Sequence, residues 1–181
     1  MSDTLSVFDD NWDELDDWSG GGAKSKGLVK RGPQLGATVY ELGPGNSVVY
    51  HFHHGSEELL VVLSGRPTLR TPEGERQLKE GEVVHFRAGP HGAHGLRNDN
   101  DEPTRYIVAG IRVSPEVVEY PDLNQITAQA RTGSQTGERL WTPVAEVRRG
   151  CADTNTLMKT NKSTTSSESR NHGCAITSAR K

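Results

Sequence analysis

Between residues 35 and 118 the apolar and β-branched positions fall in short runs, cut apart by turn-forming residues. Runs at 38–42, 48–53, 58–63, 68–71, 76–78, 82–86, 94–98 and 104–113 have the composition and length of strands. Gly43-Pro44-Gly45 stops the first run, since proline fixes φ and the glycines permit positive φ. Thr71-Pro72-Glu73-Gly74 has proline second and glycine fourth, as a type I turn prefers. Short strands at this spacing predict an all-β sandwich or barrel. Within 48–53, alternation puts Val48, Tyr50 and Phe52 on one face and His51 and His53 on the other. Within 58–63, Leu59, Val61 and Leu63 face away from Glu58.

The ends of the chain read differently, and they divide it into 1–30, a barrel at 31–120, an extension at 121–147 and a tail at 148–181. In 1–30, Asp9, Asp10, Asp13, Glu14, Asp16 and Asp17 alternate with Phe8, Trp12, Leu15 and Trp18 at spacings near three and four. That pattern predicts one short amphipathic helix. The glycine-rich segment 19–27 then reads as a flexible linker. The whole is expected to be a flexible acidic arm whose aromatic residues pack on the barrel's outside, or alternatively swap onto a neighbouring subunit. Residues 121–147 are expected to be a short helical or irregular extension, with a brief helix at 123–130. Residues 148–181 are rich in Ser, Thr and Asn with almost no bulky apolar side chain. Ordering costs about 1–2 kcal/mol per residue, which such a segment cannot offset, so a disordered tail is expected.

Composition narrows the possibilities. The apolar fraction is 32 % and the mean hydropathy −0.68, a deficit that belongs mainly to the two ends. A formal charge of −3 without a basic aromatic-interleaved stretch argues against nucleic-acid binding. No apolar run approaches the roughly 20 residues of a membrane span, and the acidic start lacks the build of a signal peptide. Cys151 and Cys174 both lie in the tail and suggest neither a disulfide framework nor a thiolate metal site. A cytoplasmic location is the expectation.

The chemistry concentrates in 45–65. His51 and His53 point the same way, about 6.6 Å apart along a strand. Gly55 and Ser56 supply a turn, and the run from Glu58 is expected to return antiparallel beside them. Two imidazoles and a carboxylate so placed begin a metal site. Gly45, five residues, His51, one residue, His53, four residues, Glu58, six residues, Gly65 resembles the first motif of the cupin family position for position. After fifteen further residues, Gly81 opens a stretch similar to the second motif. That stretch keeps Gly89 and the His94-to-Asn98 spacing, has Arg87 where proline is usual, and carries two additional residues before His94. The resemblance spans roughly 35–113. It implies a double-stranded β-helix, or jelly-roll cupin barrel, of six to eight strands, and a divalent metal held by His51, His53, Glu58 and His94. Mixed nitrogen and oxygen ligation without thiolate suits Fe, Mn, Zn, Ni or Cu.

Around this set, Glu57 competes with Glu58 for the inner face, and the six-residue gap to Gly65 selects Glu58, leaving Glu57 as a weak candidate for a catalytic base. Arg87, if turned inward, could bind an anionic ligand. His54 is expected at the surface, and His91 on a loop at the pocket mouth or in solvent. Two functional readings follow: a metal-dependent oxygenase, isomerase or decarboxylase acting on a small organic molecule, or a non-catalytic binder of such a molecule. A metal-free structural barrel is a third. The apolar outer faces predict a homodimer or cover by the N-terminal aromatic residues.

Overall fold

A computed structural model of the chain describes residues 4–16, 22–29, 34–132 and 135–147. Its strands are β1 (Glu14–Asp16), β2 (Ala23–Gly27), β3 (Leu35–Leu42), β4 (Ser47–His53), β5 (Glu58–Ser64), β6 (Thr68–Thr71) and β7 (Gly74–Gln77). They continue with β8 (Val83–Phe86), β9 (His94–Arg97), β10 (Thr104–Ile111), β11 (Glu116–Tyr120), β12 (Gln125–Thr132) and β13 (Gln135–Pro143). One sheet runs β1-β2-β3-β10-β5-β8 and the other β13-β12-β11-β4-β9-β6-β7, antiparallel in the pairs described. The turn spacing predicted an all-β sandwich or barrel, and this is the jelly roll that the resemblance implies, with more strands in the two sheets than six to eight. Alternation fills the space between the sheets with Leu42, Leu60, Val62, Leu69, Phe86 and Tyr106. Gly65, at φ 82, bends the chain out of β5 where a Cβ would lie 2.9 Å from the Thr104 hydroxyl, so only glycine fits. Asn98 is buried, and its amide donates to Leu42 O and Glu102 O at 2.9 Å, closing the turn after β9.

Five expectations are corrected. The helix predicted within 8–18 does not form over the described residues 8–16, where Glu14–Asp16 is instead strand β1, paired with β2. The acids of the arm find better partners in the sheet than in one another. Asp9 pairs with Lys26, Asp10 with Arg105, and the Trp12 ring lies 4.9 Å from the Arg105 guanidinium. The supposed linker at 19–27 likewise includes strand β2, whose Lys26 is buried beneath Asp9 and Ser6. The predicted helix at 123–130 is instead β12, hydrogen-bonded between β11 and β13. Asn124, in the left-handed region at φ 51, turns the chain after the short 3-10 turn Pro121–Leu123 and starts that strand.

The other two corrections concern β4. Glu58 does not return beside His51 and His53: β4 pairs with β9 and β11, whereas β5 pairs with β8 and β10 in the opposite sheet. A bulge between Val48 and His51 also resets the alternation, so Val48 packs against the core and not on the outer face. The tail at 148–181, with Cys151, His172 and Cys174, lies outside the described residues, as does 17–21 of the arm. Among the described residues no helix is long and apolar enough to cross a membrane.

Candidate metal centre

At one end of the barrel the core gives way to histidines. His51 and His53 project from β4, and His94, the first residue of β9, is the direct cross-strand partner of His51. The His94 ring lies flat on Phe86, with centroids 3.7 Å apart and planes 6° from parallel. Glu58 arrives from the facing sheet. Its side chain fits because β10 carries Gly110 there: a Cβ would come within 3.0 Å of Glu58 Cγ and 2.9 Å of Glu57 O.

Each imidazole is fixed through the same nitrogen. Nδ1 of His51 donates to Val49 O at 2.7 Å, and Nδ1 of His94 donates to Gly92 O at 2.9 Å. A carbonyl oxygen only accepts, so both rings carry the proton on Nδ1 and keep the Nε2 lone pair free. Nδ1 of His53 lies 3.1 Å from Glu116 Oε1, and Glu116 Oε2 accepts from Ser56 Oγ at 2.7 Å. Glu116, on β11 and 8 % exposed, is a second carboxylate that sequence reasoning missed. The signal was present: Glu116, Val118 and Tyr120 share one face of a strand, but that strand lies where the alternating pattern was fading.

The charges follow from these contacts. Burial, reinforced by the neighbouring His94 ring, pushes the pKa of His51 down to about 3, and burial lowers that of His94. Burial acts against the His53 cation too, but the carboxylates of Glu116 and Glu58 outweigh it and raise that pKa to about 9. Burial likewise opposes ionisation of Glu58, and the adjoining His53 overcomes it, so the Glu58 pKa is lowered.

A cation suits this arrangement. The ligand atoms of His51, His53 and Glu58 lie within 4.8 Å of one another. His94 stands beside this set, its ring centroid 4.6 Å from that of His51 and its Nε2 3.4 Å from Glu58 Oε2. Glu58 Oε2 is buried and lacks a partner in hydrogen-bonding geometry, although His53 Nε2 is 3.1 Å away. That carboxylate oxygen faces the free Nε2 atoms of His51 and His94, and with the Nε2 of His53 joining once its proton is displaced this is a donor set that a divalent ion completes. A cleft of about 930 Å³ opens above it, with His51, His53 and Glu58 at its base and Tyr120 and Trp141 on one wall.

Two predicted residues do not join the site. With Glu58 turned inward, period 2 sends Glu57 out, where it is exposed and sits 3.1 Å from His85 Nε2, and it does not line the cleft. Arg87, exposed, lines a separate recess of about 670 Å³ with His91. Any anion it binds is held there and not in the cleft above His51 and His53. His54 is at the surface, 3.1 Å from Glu119 Oε2.

With this geometry in view, the likeness to known proteins becomes specific. The family described as Cupin domain matches residues 38–110. A sugar phosphate isomerase of the cupin superfamily from Silicibacter pomeroyi superposes with a TM-score of 0.61 at 26 % identity, over 67 % of this chain and 76 % of that one. A candidate sugar phosphate isomerase from Acidithiobacillus ferrooxidans gives 0.58 at 27 % identity, over 68 % and 77 %. The polyketide cyclase RemF of Streptomyces resistomycificus gives 0.53 at 20 % identity, over 61 % and 80 %, and shares the fold. No curated protein matches the chain.

Proposed function

We propose that this chain, whose residues 38–110 match the family described as Cupin domain, holds a divalent metal and uses it to isomerise a small hydroxy-carbonyl compound. Phosphorylated sugars are the first class to test, because two of the structural neighbours, at 26 % and 27 % identity, are a sugar phosphate isomerase and a candidate one. The observation that carries the metal reading is the shared tethering through Nδ1. It points free Nε2 lone pairs toward the orphaned Glu58 oxygen. A divalent ion there supplies a Lewis acid for hydroxyl and carbonyl oxygens. Ser56 and Glu116 hold the His53 ring in place, and Phe86 holds that of His94. Burial raises the pKa of the Tyr120 phenol, keeping it protonated beside His51 as a hydrogen-bond donor to a bound oxygen.

One observation favours a second reading, in which the cleft binds such a molecule without turning it over: Glu57, the base expected from sequence, faces away from the cleft. Elemental analysis of the purified chain beside His51→Ala and His94→Ala tests the metal. Stoichiometric metal in the parent and its loss from both variants is expected. A parent that stays metal-free after supply with Fe, Mn, Zn, Ni and Cu ends the reading. Proton exchange at C2 of a sugar phosphate in deuterated water, followed by NMR, separates enzyme from binder.

The proposal includes a pair of chains. On the outer face of the first sheet, Lys26, Val39, Ile107, Val61 and Val83 stand in register across five strands. Residues of the arm contact the Lys26 end, where Val39 is 0 % exposed, while Val83 at the far end is 56 % exposed. Leu35, Leu59 and Ile111 extend the uncovered part. A second copy is the occupant we assign to it.

A further inference from the structure

One wall of the cleft comes from chain outside the matched segment 38–110, namely β11, which pairs with β4, and the β12–β13 hairpin beyond it. From His51 a chain of rings leads outward. The Tyr120 ring is 5.8 Å from that of His51, and the Trp141 ring stacks on Tyr120 at 5.4 Å with planes 23° apart. Trp141 is 52 % exposed, although a tryptophan this large ordinarily buries most of its surface. It lines the cleft, where a bound molecule can cover its exposed face. Two residues earlier on the same face of β13 is Arg139, opposite Gln129 and bonded to it only at 3.4 Å. Across the cleft the first sheet presents Ser25, Gly27, Gly36 and Thr38 beside the longer Tyr40, Ile111 and Arg112.

From this arrangement we infer that Tyr120, Trp141 and Arg139 form a second anchoring site for the far end of the substrate. The rings take the C–H face of a sugar, and the guanidinium takes an anionic group such as a phosphate monoester. The chemistry matches part by part. Aromatic faces attract the slightly positive C–H bonds of a carbohydrate, and a guanidinium binds a phosphate through two parallel N–H donors. The metal end then orients the hydroxyl and carbonyl oxygens while the anchor fixes the length of molecule that fits. This inference rests on the metal-dependent reading above and specifies its substrate class.

Calorimetric titration of the metal-supplemented full chain with ribose 5-phosphate, ribose and inorganic phosphate tests it, with metal content measured in every sample and near-UV circular dichroism verifying the fold of each variant. The parent is expected to bind ribose 5-phosphate at least ten-fold tighter than ribose. Arg139→Ala should erase that preference and leave ribose binding unchanged, and Arg139→Lys should restore part of it. Trp141→Ala should weaken ribose and ribose 5-phosphate alike, by about five-fold, without altering inorganic phosphate. Parental affinities in Arg139→Ala and Trp141→Ala overturn the anchor, as does a metal-loaded parent that binds neither ribose 5-phosphate nor ribose. A parent devoid of metal refutes the metal-dependent reading instead, and the same titration then still reports on Arg139 and Trp141.

Discussion

His53 differs from the other two imidazoles in having Nδ1 beside a carboxylate rather than a backbone carbonyl. Its orientation is therefore the one a single substitution can release. In Glu116→Ala the Nδ1–H of His53 and the hydroxyl of Ser56 lose their buried acceptor, at about 1–3 kcal/mol for each orphaned group. The ring is then free to turn its Nε2 from the cage. Metal affinity should fall about 10- to 100-fold, the usual effect of losing an outer partner of a ligating histidine. Glu116→Gln keeps an acceptor oxygen and should fall less. Competition with a chromophoric chelator measures both, and an unchanged affinity in Glu116→Ala would show that packing alone orients the ring.

At the level of whole strands, the site depends on β5 and β10 lying side by side with Gly110 against Glu58. Gly110→Ala puts a methyl group where only 2.9–3.0 Å is available. A destabilisation of about 1–3 kcal/mol by overpacking is expected, read in a denaturant melt, together with reduced metal content as Glu58 is displaced. Strands are also where the sequence was most and least informative. Alternation put His51, His53 and Glu58 inside because a side chain's face depends on local geometry alone. It could not say that β4 and β5 belong to different sheets, because which strand sits next to which is settled by distant pairing. The residues of β12, Gln-Ile-Thr-Ala-Gln-Ala-Arg-Thr, hold no strong preference, and the ladders with β11 and β13 decide their conformation. Glu116 was hidden for the same reason. The arm misled because its acidic residues, helical by spacing, answer cations that the sequence places far away at Lys26 and Arg105.

For the molecule as a whole, the pairing proposed above rests on the uncovered face around Leu59 and Val83. Light scattering should give the mass of two chains. The double substitution Leu59→Glu and Val83→Glu should give that of one with metal content retained, since both side chains point away from the cage. A single-chain mass for the parent would overturn the pairing. The tethers of His51 and His94 carry a last consequence. Each runs to a carbonyl only two residues back along the same segment. Ligand aim at these two positions is thus written into a few consecutive peptide units, while the outer part of the cleft is built by a hairpin later in the chain. What the protein recognises can therefore be re-tailored by exchanging one hairpin for another, and two of the three imidazoles that face the ion need not notice.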